Sequence, residues 1–80
     1  MTREQIKDRL KEAGFSYDMK ITYTTCMHKL DINVQLEDMF LGVWANKAYF
    51  EAYPSDVVEI QLTDTSVSFI TKKGITQLFY

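Results

Sequence analysis

Residues from Met1 to Phe15 read as a helix with one thin apolar stripe, and everything after Gly14 reads as sheet. Thr2-x-x-Gln5 has the form of a capping box, in which hydroxyl and side-chain amide each satisfy a free backbone amide. Met1 and Ile6 stand at the spacing of a hydrophobic staple across that cap. Gly14 falls where a closing left-handed residue is wanted, and Phe15 can fold back onto Leu10. Ile6, Leu10 and Ala13 form the stripe. A helix with so narrow a dry face builds no core alone and must lie on something broader.

The period then changes from helical to alternating. Phe15, Tyr17, Met19, Ile21 and Tyr23 point one way, with Ser16, Asp18, Lys20, Thr22 and Thr24 opposite. Such alternation marks a strand with one dry and one wet face. Further on, the apolar phase sits on even positions: His28, Leu30, Ile32, Val34 and Leu36. A change of phase needs an extra residue, which places a turn or bulge within Thr24 to His28.

Residues 38–53 admit two readings. As a hairpin, Asn46-Lys47 is the turn, and Ala45 pairs with Ala48, Trp44 with Tyr49, Val43 with Phe50 and Leu41 with Ala52. One face then carries Leu41, Val43, Ala45, Ala48, Phe50 and Ala52. The other carries Phe40, Trp44, Tyr49 and Tyr53, with Gly42 opposite Glu51. As a helix, Phe40, Leu41, Trp44, Ala45, Ala48 and Ala52 make a stripe, but Gly42 lies inside it. Aromatic content and Gly42 favour strands, although Asn-Lys is a weaker turn than Asn-Gly.

Pro54-Ser55-Asp56 breaks the pattern. Val58, Ile60 and Leu62 then alternate with polar residues, Asp64-Thr65 makes a turn, and Val67, Phe69 and Thr71 alternate again. Lys72-Lys73-Gly74 fits a hairpin loop before a last strand from Ile75 to Tyr80. The expected architecture is a single α+β domain over residues 1–80. One N-terminal helix (about 3–13) packs on a curved antiparallel sheet, a meander of about five to seven strands.

Charge and composition exclude several functions. Nine basic and eleven acidic residues are spread evenly, for a net charge of −2. That balance offers no electrostatic case for nucleic acid or an anionic membrane. One cysteine excludes an internal disulfide and suggests a reducing, cytoplasmic setting. No apolar run reaches membrane-spanning length, and the charged N-terminal stretch lacks a signal peptide's apolar centre. Cys26-x-His28 is the one pair resembling a metal site or a nucleophile with its base. Zinc would need two more ligands, and the chain has no second Cys or His. A nucleophile would need a third group to orient its base. No phosphate loop, dinucleotide fingerprint or calcium loop is present. The expectation is therefore no catalytic residue, no metal and no cofactor. Arg3, Lys7 and Lys11 line one helix flank, but Glu4, Asp8 and Glu12 beside them cancel most of their field, as on an ordinary solvated face.

The aromatic residues, 14% of the chain, carry the remaining signal. Tyr17 and Tyr23 belong to the face the helix covers. Phe40, Trp44, Tyr49 and Tyr53 differ, because the 39–53 hairpin is apolar on both sides and one narrow helix covers only one side. Either the sheet curls so that both faces enter a core, or one aromatic face stays exposed as a contact for a protein partner or another copy of the chain. The functional expectation is a small non-enzymatic interaction module, an inhibitor or adaptor of the kind found among bacterial and phage accessory proteins. A second expectation is a small-ligand or single-stranded nucleic-acid binder whose sheet is lined by Tyr17, Tyr23, Trp44 and Phe50.

Overall fold

A computed structural model of the chain describes residues 1–19, 23–27 and 31–80, with the side chains of Cys26 and Met27 left out. Helix α1 spans Arg3–Glu12 and is followed by strands β1 (Ser16–Met19), β2 (Thr24–Met27), β3 (Ile32–Leu36), β4 (Leu41–Ala45) and β5 (Ala48–Ala52). A single 3-10 turn, Pro54–Asp56, leads into β6 (Val57–Leu62), β7 (Ser66–Thr71) and β8 (Gly74–Phe79). The class is the expected one, a helix followed by antiparallel strands. Among the described residues the strands number eight and divide into two meanders, β1-β2-β3-β4-β5 and β6-β7-β8.

The helix ends form as their residues dictate. Thr2 accepts from the Gln5 amide and Gln5 Oε1 accepts from the Thr2 amide, which completes the capping box. At the other end Gly14 takes φ +91°, Phe15 N–H donates to Leu10 O and Gly14 N–H to Lys11 O. That pair of bonds is a Schellman closure, and it turns Phe15 into the core. Ile6 and Leu10 are fully buried.

α1 lies over the β1–β2 end of the larger sheet. The Tyr17 hydroxyl donates to Lys7 O, and Lys7 Nζ sits 5.8 Å from the centre of the Tyr17 ring. Arg3 donates to the buried Thr24 Oγ1 at 3.0 Å and pairs with Asp38 at 3.6 Å. The basic flank of the helix is thus not a plain solvated row, since two of its three members are held by the sheet. The Met1 amino group donates to Pro54 O and Val57 O, joining the helix start to β6.

The smaller sheet covers what the helix leaves open. Phe50 of β5 stacks on Phe69 of β7 with ring centres 5.0 Å apart. Asn46 Nδ2 donates to Phe79 O at 2.8 Å and ties the β4–β5 turn to β8. Ile32, Val34, Leu36, Leu41, Val43 and Ala45 from the larger sheet share one core with Val57, Ile60, Val67, Phe69 and Leu78 from the smaller.

Two expected details move. Thr24–Met27 is a strand paired with β1, with Met19 opposite Thr24, and not the turn placed there; His28, the end of that range, lies outside the described residues. The register sets odd positions of β1 against even positions of β2, so the phase of inward positions changes from one strand to the next. At β6, Val57 is buried and Val58 exposed, with a register shift between Val57 and Glu59. The bulge lets Val57 and Ile60, three residues apart, face the same core.

Phe69→Ala should cost about 3–5 kcal/mol, a large part of the ~5–10 kcal/mol available to a chain of this size. Urea unfolding followed by far-UV circular dichroism measures it. A loss below about 1 kcal/mol would mean the two sheets do not depend on that stack.

Candidate aromatic docking face

The hairpin reading of residues 38–53 holds pair for pair: Leu41 with Ala52, Gly42 with Glu51, Val43 with Phe50, Trp44 with Tyr49 and Ala45 with Ala48. Asn46 opens the turn at φ 52°, a conformation asparagine tolerates better than most residues. The pairing decides which rings are dry. Val43 and Phe50 face inward, while Trp44 and Tyr49 face outward.

Outward-facing side chains of the larger sheet fall into two rows. One runs Asn33, Trp44, Tyr49; the next runs Thr25, Gln35, Gly42, Glu51. Trp44 and Tyr49 meet with ring centres 4.9 Å apart and planes tilted by 43°. Gly42 is covered by rings from both sides. A methyl group built on it would lie 2.8 Å from Phe40 Cζ, 2.9 Å from Phe40 Cε2 and 3.1 Å from Trp44 Cη2. Tyr53 continues the arc past Phe40, and both line a groove of about 440 Å³ between β5 and the β7–β8 hairpin.

The four expected residues meet in successive pairs: Tyr49 with Trp44, Trp44 with Phe40 over Gly42, and Phe40 with Tyr53 on the groove. Trp44 is 40% exposed, Tyr49 47% and Tyr53 59%, while Phe40 is half-buried against Gly42. Sequence reading missed Met39 and Ile75, exposed apolar side chains on the same groove. Alternation in β8 marks Ile75 as outward-facing, but nothing in the sequence sets β8 beside β5.

Carboxylates border the rings. The Tyr49 hydroxyl donates to Glu51 Oε2 at 2.6 Å. That hydrogen bond, with slight desolvation and the charge of Glu51, holds the Tyr49 phenol above the usual tyrosine range. Gln35 Nε2 donates to Glu37 Oε2 at 2.9 Å, fixing a second carboxylate near the Gly42 row. Asp31 and Lys47 share a shallow recess with Asn33, Trp44 and Asn46 at the other end.

The aromatic-lined ligand cavity does not assemble. Trp44 and Phe50 lie on opposite faces, so they cannot line one ligand cavity with Tyr17. Tyr23 is half-buried and lies outside the strands. His28 lies outside the described residues, as does the Cys26 side chain. Among the described residues no group of three or more His, Cys, Asp or Glu is placed to hold a metal ion, and no helix is long and apolar enough to cross a membrane.

Glu51→Gln should lower the Tyr49 titration toward the usual tyrosine range, because the charged acceptor that favours the neutral phenol is removed. Tyr49 ring resonances followed by NMR against alkaline pH report it, and an unmoved titration would contradict the assigned cause. Gly42→Ala should push Phe40 and Trp44 off the strand and alter the Trp44 emission maximum. The unfolding midpoint should change little, because the ~0.5–1 kcal/mol that alanine gains over glycine offsets the displaced rings. No protein-family model matches the chain, and neither a curated protein nor a solved structure does.

Proposed function

We propose that the chain is a small non-enzymatic interaction module. It binds a protein partner through the arc formed by Tyr49, Trp44, Phe40 and Tyr53, and acts as an inhibitor or adaptor of that partner. One observation carries the reading: a hairpin already supplying Val43 and Phe50 to the core turns Trp44 and Tyr49 outward, with Phe40 beside them over Gly42 and an exposed Tyr53 just past its end. Folding accounts for the inner set. Of the outer rings, Phe40 and Trp44 cover Gly42 while Tyr49 and Tyr53 extend beyond it, and an exposed aromatic patch is the usual mark of a contact surface. Tyr and Trp suit such contacts because they bury large area at low rotamer cost and keep a polar tip. Nucleic acid fits poorly, since Glu51 and Glu37 stand where phosphates would approach.

The double variant Trp44→Ala, Tyr49→Ala tests this. It should remain folded, with a stability loss of roughly 1 kcal/mol, the scale of one cross-strand aromatic pair. It should lose the protein that immobilised wild-type chain captures from cell extract. Retention of the same captured protein removes the arc as the docking surface, and collapse of the fold would assign the rings to stability instead.

A further inference from the structure

The charges around the rings select among partners. Of the described outward side chains on the larger sheet, the charged ones are Asp18 on β1 and Glu51 on β5, and none is basic. Glu37, oriented by Gln35, adds a carboxylate beside the Gly42 row. Two described basic side chains lie near the rings, each with carboxylates beside it: Lys47 at the β4–β5 turn shares its recess with Asp31, and Lys73 lines the groove of Phe40 and Tyr53 with Glu51 and Asp56. Glu51 is held at the edge of the Tyr49 ring by the phenol's hydrogen bond, so ring and carboxylate keep a fixed relation before any partner arrives.

We propose, resting on the docking reading above, that the partner seats an arginine side chain on this face, its guanidinium over Trp44 and Tyr49 and its N–H groups toward Glu51. A planar guanidinium stacks on aromatic faces, is weakly hydrated, and donates to a carboxylate in a fixed fork. The two tilted rings supply the π surface, and Glu51 supplies the charge. The same arrangement disfavours a second copy as occupant. A two-fold pairing of this face brings Glu51 and Glu37 of both molecules onto one area, where like charges repel. A purely apolar partner would leave the Glu51 carboxylate desolvated without a counter-charge.

Trp44 is the chain's sole tryptophan, so its fluorescence reports this face directly. The probe is a tetra-arginine peptide titrated at low ionic strength, against a tetracitrulline peptide of the same shape without charge. Tetra-arginine should give a saturable change in Trp44 emission, and citrulline a response at least about tenfold weaker. Glu51→Gln should weaken the arginine response about two- to fivefold. Lys47→Gln should strengthen it, and Glu12→Gln on the helix, with the same change in net charge as Glu51→Gln, should leave it nearly unchanged.

Equal binding of the two peptides, or equal effects of Glu51→Gln and Glu12→Gln, overturns the proposal. The two readings separate cleanly. If tetra-arginine gives no saturable response while Trp44→Ala, Tyr49→Ala still loses its captured protein, the docking face stands and the arginine falls. If that double variant also keeps the protein, both fall. Concentration-dependent mass in sedimentation, abolished by the double variant, would assign the face to a second copy and likewise overturn the arginine.

Discussion

Phe50 and Phe69 stack between two sheets that share no strand, and this contact settles what the rest of the molecule can expose. A ten-residue helix cannot shield the inner surface of five strands. It shields the β1–β2 end, where Tyr17 and Thr24 reach back to it. The remainder is shielded by β6–β8, drawn over β5 by the ring stack and by the Asn46–Phe79 bond. Once both lids are in place the inner face is spent. What remains of the β4–β5 hairpin's apolar content has only the outside to occupy.

That outside is shaped by a glycine. Without a side chain at position 42, the rings of Phe40 and Trp44 settle onto bare backbone and close it from water. Covering glycine in a strand is a structural use for aromatic residues, and it accounts for the half-buried state of Phe40. It does not account for Tyr49 or Tyr53, which extend the surface beyond what Gly42 needs. The excess is what makes the arc a candidate for recognition rather than local repair.

Much of this was readable from residue order. The cap at Thr2, the closure at Gly14 and the full register of the β4–β5 hairpin each follow from local chemistry, because their signals lie within a few residues. Parity was harder. The shift of inward positions from Tyr17 to Val34 signals a change of phase somewhere, but with no Gly, Pro, Asn or Asp to mark it, nothing in the residue order shows that Thr24 already belongs to β2. The bulge at Val57 was hidden because Val57 and Val58 are equally apolar, and only packing chooses. The division into two sheets has no local signature at all, since alternation looks the same on either side of Pro54. For the same reason the aromatic arc was visible as a set of residues, but the groove it borders was not. That groove exists because β8 comes to lie beside β5, and the chain does not advertise so distant a neighbour.

Every strand pairs with the one before or after it in the chain. Each ladder therefore closes a short loop, and the entropy lost at each step is modest. Contacts that span large sequence distance join the meanders and the helix: Phe50 on Phe69, Asn46 on Phe79, Arg3 on Asp38, and the Met1 amino group on Pro54 and Val57. The two meanders, not neighbouring strands, are what distant stretches of chain must bring together, and the helix start is fastened at their seam.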